Sequence, residues 1–308
     1  TIGGTCVNVG CVPSKTLLRA AEAVHAAQSA TRFPGLAGAA TLTDWSALMA
    51  AKDELVATLR RQKYADLLLG YETIDYIEGQ ARFADGMLTV GGAPLQSGKI
   101  VLATGAAPAL PDVPGIAKVP ILTSTSALEL PERPESLLVI GGGYIGCELA
   151  QLFARLGSKV TLVTRSRLLP ESEPEVSAAL TGYLRDEGIT VWAGLSYREI
   201  QRTSEGVALT IDIAGRIESL IAEKVLVATG RKPNTDGLGL AGSGVALDGR
   251  DAVIVDDHMR TSRPGVYAAG DVTNRDAFVY MAAHGAKVAA RNALNGDEST
   301  YDNRAMPW

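Results

Sequence analysis

Two cysteines, Cys6 and Cys11, stand in the string Gly3-Gly4-Thr5-Cys6-Val7-Asn8-Val9-Gly10-Cys11-Val12-Pro13-Ser14-Lys15. At the start of a helix such a pair can close a small strained ring, with Gly10 supplying backbone freedom. A helix N-terminus and a nearby lysine both favour thiolate, so the pattern predicts lowered thiol pKa values and a reactive pair. Taken alone, the two residues also fit a pair of buried free cysteines. Zinc fits poorly, because a structural site takes four ligands and the chain has only three cysteines and three scattered histidines. The whole string is more specific than its cysteines and carries an expectation of redox chemistry.

A second constellation is Gly141-x-Gly143-x-x-Gly146, placed between an apolar run and a helical one. Strand, glycine turn and helix in that order are what a dinucleotide pyrophosphate requires. At the end of the following strand an NAD site usually carries an acid for the ribose hydroxyls. Here the chain reads Val163-Thr164-Arg165-Ser166-Arg167. Two guanidinium groups and no acid suit a 2′-phosphate, and so NADPH, through charge-assisted hydrogen bonds. The same residues also fit a solvated basic loop. Glu148 opens a helix, where an acid complements the dipole or serves a site. Asp271, in Ala269-Gly270-Asp271, fits a cofactor hydroxyl acceptor or a helix N-cap. Cys147 is read as helix packing, and His25, His258 and His284 have no ligand spacing.

These side chains need elements to hold them. The sequence predicts a helix over Cys11–Ser29, with Pro13 tolerated in its first turn, and another over Thr43–Leu69 ended by Gly70. Short strands follow at Thr73–Ile77, Gln80–Phe83, Met87–Val90 and Lys99–Ala103, then a Pro-rich connection. Leu137–Ile140 is continuously apolar, as expected of a strand buried on both faces of a parallel sheet. Helices at Cys147–Leu156 and Ala178–Gly188 alternate with strands at Lys159–Val163 and Thr190–Trp192. Glu199–Thr203, Val207–Ile213 and Ile217–Leu220 read as an antiparallel meander, Gly265–Ala268 as a last strand and Val279–Leu294 as a last helix. Ala103-Thr104-Gly105 and Ala228-Thr229-Gly230 echo one another, which points to two related α/β units.

The 308 residues suffice for about two domains. With 46% apolar and 20% charged residues the composition is globular. A net charge of −5 argues against nucleic acid as a partner, since phosphate backbones want a basic face. No apolar run approaches the roughly 18 residues of a spanning helix, and the first residues do not read as a signal peptide. A closely spaced cysteine pair beside a lysine suits a cytoplasmic redox protein.

Together the strings Gly3–Lys15, Gly141–Glu148, Ala228–Asn234 and Tyr267–Asp271 resemble the flavin-dependent disulfide oxidoreductases, the family that includes glutathione reductase, dihydrolipoamide dehydrogenase and mercuric reductase. Thr123-Ser124-Thr125, Thr164-Arg165, Phe278-Val279-Tyr280 and Ala305-Met306-Pro307 are similar to its mercury-reducing branch. The resemblance implies an α/β fold of two doubly wound Rossmann-like units, the NADPH-binding unit inserted in the FAD-binding unit. Residues 1–122 and 236–296 would bind FAD, 123–235 would bind NADPH, and 297–308 would begin a dimerisation domain. An earlier FAD-binding strand and glycine loop would precede Thr1, so the expected chain is truncated at both ends.

The roles follow by position. Cys11 would lie against the flavin, and Cys6 would be the outer, exchanging thiol. Lys15 and Glu148 would pair near the reactive flavin nitrogen, Tyr144 would cover the flavin, and Asp271 would hold its ribityl chain. Cofactor contacts would extend to Gly4, Thr5, Thr104, Gly105, Gly141, Gly143, Gly146, Arg165, Arg167, Gly230 and Gly270. Cys6 and Cys11 would bind Hg(II) as substrate, and the whole protein would be a cytoplasmic homodimer. A reductase of small disulfides, or a non-catalytic segment that binds nucleotide only, remains open on these residues.

Overall fold

The computed structural model describes residues 2–306. Thr1, Pro307 and Trp308 lie outside the described residues, and with the last two goes the end of the segment expected to open a dimerisation domain. The chain forms two compact units, Thr1–Leu67 with Pro108–Gly230, and Leu68–Ala107 with Arg231–Trp308.

The first unit is built on a five-stranded parallel sheet. Its spatial order is Ile121–Leu122, Lys224–Val227, Ser136–Ile140, Lys159–Thr164, Thr190–Ala193. Because side chains alternate along a strand, Leu137 and Val139 enter one core while Leu138 and Ile140 enter another. Helices cover the first face. They are α2 (Cys11–Gln28), α3 (Trp45–Arg60), α5 (Tyr144–Arg155) and α6 (Pro174–Asp186), while the short α1 (Gly4–Asn8) precedes α2 and the π-helical turn Arg61–Ala65 and α4 (Asp66–Leu69) follow α3. The meander Ser196–Thr203, Gly206–Ile213, Arg216–Ala222 covers the second face, with Ile200, Val207, Leu209 and Ile211 packed onto the sheet. Both faces are therefore dry, which is why the central strand has no polar alternation.

Helix α2 buries Pro13, Leu17 and Ala21, one residue every four, and Leu17 and Ala21 share a core with Leu149, Leu152 and Phe153 of α5. Helix α3 is capped by Asp44, whose carboxylate accepts from the Ala47 N–H at 3.0 Å. Its Trp45 stacks on Phe153 with ring centroids 6.0 Å apart, and the indole N–H donates to the Leu130 carbonyl at 2.8 Å. Among the described residues, the one charged side chain sunk into this side is Lys52. Its ammonium donates to the Leu128 carbonyl at 2.9 Å and pairs with Asp53.

The second unit has a small antiparallel sheet, Ala81–Ala84, Met87–Val90 and Ala93–Pro94, and a parallel pair, Ile100–Leu102 with Val266–Ala268. Phe83, Leu102, Leu240, Val253, Val266 and Val272 form one core. Helix α7 (Val279–Asn295) closes a second around Tyr267, Met281, Val288 and Tyr301.

Two expectations need correction. The helix foreseen as continuous over Thr43–Leu69 is interrupted by the π-helical turn. The strand foreseen at Thr73–Ile77 is absent, and Ile74, Tyr76 and Ile77 are exposed. No strand among the described residues pairs with this segment, and without a partner its backbone groups gain nothing from an extended ladder. No helix among the described residues is long and apolar enough to cross a membrane.

Phe153 is fully buried between sheet and helices. Phe153→Ala should cost about 3–5 kcal/mol of stability, read as a lowered urea midpoint at unchanged slope. A loss below about 1 kcal/mol would contradict the packing described.

Candidate functional site

The cysteine segment is a helix–turn–helix of minimal length. Cys6 sits in α1, Val9 N–H bonds back to the Thr5 carbonyl at 3.0 Å, and Cys11 opens α2. Gly10 makes the turn possible through close approach, since a Cβ there would lie 2.9 Å from the Thr5 carbonyl oxygen. Asn8 ties the turn down by donating to the Ile2 and Gly4 carbonyls at 2.9 and 2.8 Å. The result is two free, half-buried thiols held in one turn and close enough to influence each other's titration.

Electrostatics at this pair differ from the expectation. Burial, aided by the hydrogen bond to Cys11, pushes the Cys6 thiol up to about 11. The Cys11 backbone and Lys15 pull the other way and are outweighed. Lys15 is already engaged. Packing of α2 on α5 brings its ammonium 2.6 Å from both carboxylate oxygens of Glu148. Its charge is therefore shared with a carboxylate, and its pull on the Cys6 thiol is too small to offset burial. Glu148 thus does more than complement a helix dipole: it binds Lys15 across 133 residues of sequence. Tyr144, the first residue of α5, presents a half-exposed ring. The structure adds one aromatic that spacing alone did not suggest. Tyr64, in the π-helical turn, lies close enough to Gly3 that a Cβ there would touch its ring at 3.4 Å.

Around the second motif each glycine has a distinct reason. Gly141 has φ +120°, and a Cβ would run into the Ala228 carbonyl. At Gly146 a Cβ would run into the Gly141 carbonyl, so α5 could not approach the strand. Gly143 is different, since a Cβ there would meet nothing within 4 Å. Protein packing accounts for the first two, and the open space at the third suits a group from outside the chain. The turn lies where the strands ending at Ile140 and Val227 run side by side, at the carboxyl edge where doubly wound sheets bind nucleotides.

The two arginines separate. Arg167 donates to the Pro170 and Ser172 carbonyls at 2.9 and 2.6 Å and braces its own loop. Arg165 is exposed and forms no ion pair among the described residues. Cys147 is buried with its sulfur 3.6 Å from the Gly142 carbonyl, a packing role.

In the second unit Thr104 donates to the Asn234 carbonyl at 2.8 Å, and Asn234 returns bonds to Thr104 and Gly105 at 2.9 Å each. Arg231 holds the Ala106 carbonyl and lies 3.7 Å from Asp271, which follows Gly270 at the start of a 3-10 turn. Among the described residues no cluster of three or more His, Cys, Asp or Glu could hold a metal ion.

Residues 1–290 match the family model of the pyridine nucleotide-disulphide oxidoreductases. The chain belongs to this family. Members combine a flavin with a pyridine nucleotide, and the glycine cradle at 141–146 fits the second of these. The chain is 48% identical to a mercuric reductase of Streptomyces lividans and 43% identical to one of Staphylococcus aureus, in each case over its whole length. Among solved structures it is similar to the Cu(II) complex of the HOCl-induced flavoprotein disulfide reductase RclA from Escherichia coli. That likeness has a TM-score of 0.83 and 31% identity over 98% of this chain. The chain spans 66% and 56% of the two curated relatives and 65% of the RclA chain.

Because the Cys6 thiol is raised, its thiolate forms only at high pH. In the anaerobically reduced protein, iodoacetamide labelling of Cys6 should be slow at about pH 8 and rise about tenfold per pH unit towards about 11. Labelling already at its plateau near pH 8, read by peptide mass, would show that burial does not govern this thiol.

Proposed function

We propose that this chain is the catalytic core of a flavoprotein that reduces Hg(II) to elemental mercury with NADPH. The observation that carries the reading is the pair of adjacent thiols in the Cys6–Cys11 turn, set beside a Lys15–Glu148 ion pair. The names of the curated relatives support it. In this reading NADPH supplies two electrons and FAD relays them.

The residues do the rest. Cys6 and Cys11 as a disulfide accept two electrons, the S–S bond breaks, and the outer sulfur, Cys6, takes up a proton to become a thiol. The two sulfurs, soft ligands for a soft ion, then hold Hg(II) with loss of the Cys6 proton, and a second pair of electrons from a second NADPH would reduce the ion to the metal and leave both sulfurs reduced. Cys11 is the thiol against the flavin and Cys6 the outer one that exchanges. Lys15 and Glu148 border the flavin, with Gly4 and Thr5 on the same segment. Tyr144 shields the flavin until nicotinamide arrives. Thr104, Gly105, Gly230, Gly270 and Asp271 contact FAD, with Asp271 accepting from the ribityl chain. Gly141, Gly143 and Gly146 receive the NADPH pyrophosphate. Of the two arginines, Arg165 takes the 2′-phosphate and Arg167 shapes the loop.

Residues 1–122 with 236–296 form the FAD-binding part, 123–235 the NADPH-binding part, and 297–308 lead towards a dimerisation domain. The working protein is a cytoplasmic homodimer.

In the full-length protein, Cys11→Ala should abolish both Hg(II)-dependent NADPH oxidation and the long-wavelength thiolate–flavin absorption. Retention of both would remove Cys11 from the reaction. Faster turnover with a panel of low-mass disulfides than with Hg(II) would instead make the protein a disulfide reductase.

The arginines give a separate check. Arg165→Ala should lower the preference for NADPH over NADH about tenfold or more, the worth of a charge-assisted hydrogen bond. Arg167→Ala should change it less than about twofold while lowering the melting temperature. Equal losses from both would mean that the loop is read wrongly.

A further inference from the structure

The cysteine turn holds one polar side chain that the reading above leaves without a part in the chemistry. Asn8 stands between Cys6 and Cys11, and its amide is turned back onto the chain ahead of Cys6.

That stretch of chain has little else to hold it. Gly3 and Gly4 both take left-handed backbone, with φ +93° and +64°, and glycine loses more freedom on folding than any other residue. Helix α1 has five residues and no side-chain cap at Gly3, and a helix so short does not stand alone in water. Buried Val7 anchors one face of it, and the Val9 N–H bond to the Thr5 carbonyl closes its far end. The near end depends on Asn8. Its Nδ2 donates to the Ile2 and Gly4 carbonyls at 2.9 and 2.8 Å, so both amide hydrogens are used and the chain is stapled on either side of Gly3. The glycine turn is thereby pressed onto α1, where a Cβ on Gly3 would run into Val7.

This matters for closing the sulfur ring. When two thiols give two electrons and two protons to a partner disulfide, the Cys6–Cys11 bond forms and the partner's S–S bond breaks. A thiol already held in place loses less freedom on bonding than one on a loose segment. By linkage, whatever holds the open turn also favours the closed ring.

We propose that Asn8 is a positioning residue for the cysteine pair, its two hydrogen bonds holding α1 in place in the dithiol and so making the pair a stronger reductant. This rests on the reading of Cys6 and Cys11 as an exchanging pair and adds to it a residue that sets their potential. Asn8 acts through the thiols and touches no substrate.

The test equilibrates the full-length flavoprotein anaerobically with mixtures of reduced and oxidised dithiothreitol, one protein dithiol exchanging for one cyclic disulfide. Samples are quenched in acid and alkylated after unfolding, and peptide mass gives the fraction closed. Asn8→Ala should move the midpoint ratio about 3- to 30-fold towards the dithiol, the worth of about two net hydrogen bonds. At about 30 mV per tenfold this is about 15 to 45 mV. Asn8→Asp, the same shape without an amide donor, should move it at least as far. Midpoints within about 1.5-fold of the parent in both variants overturn the proposal, since two lost hydrogen bonds should exceed that. Should the variants fold poorly, amide exchange across Gly4–Val9 in the parent decides. It should be as slow in the dithiol as in the disulfide to within about tenfold. A dithiol that exchanges there as fast as unfolded chain has no held turn, and that overturns the proposal. A parent that never closes to a disulfide overturns the pair reading and the role of Asn8 with it. Absence of Hg(II)-dependent NADPH oxidation in the parent, with the Asn8 shift intact, removes the mercury reading and supports this one.

Discussion

Burial of the strand Ser136–Ile140 on both faces is the constraint from which the first unit follows. A strand with Leu137 and Val139 on one side and Leu138 and Ile140 on the other must be covered twice. Helices α2, α3, α5 and α6 supply one cover and the three-stranded meander the other. Once α5 is pressed onto the sheet, its N-terminal turn has to pass the strand end, and Gly141 and Gly146 are the residues without which the two backbones collide. Once α2 is pressed onto α5, Lys15 meets Glu148. The proposed nucleotide cradle and the ion pair beside the cysteines are both consequences of how one strand is kept dry.

The cysteine turn shows how magnitudes rearrange a qualitative reading. A lysine four residues after a cysteine suggests an activated thiol, and nothing in the spacing reveals that its charge is committed elsewhere. With Lys15 held by both Glu148 oxygens, desolvation dominates and Cys6 is the reluctant member of the pair. If the proposed chemistry holds, the outer thiol is protonated while it waits. Binding of a soft cation would then have to displace that proton.

Much of the architecture was legible because it rests on periodicity and glycine. The continuous run at Leu137–Ile140, the meander's alternation and the Gly141–Gly146 turn each have a local cause, and all appear where expected. Thr73–Ile77 was misread because β-propensity says nothing about whether a neighbour is available to pair. The different fates of Arg165 and Arg167 were hidden because they depend on which backbone carbonyls the loop turns inward. The pairing of Glu148 with Lys15 was legible only through the family resemblance, since no spacing rule joins positions so distant in sequence and helix packing is what brings them together.

The π-helical turn Arg61–Ala65 gives the segment after α3 a particular sensitivity to length. Such a turn is an α-helix carrying one surplus residue. Each residue in a helix advances the side-chain direction by about 100°. Removing one position between Arg61 and Tyr64 would restore regular winding and swing the Tyr64 phenol off Gly3, away from the approach to the cysteine turn. Point substitutions along α3 would leave that bearing intact. Among related chains, then, the residue count from Trp45 to Tyr64 should be held more tightly than the identities of the exposed residues between them, because the count sets where the ring points.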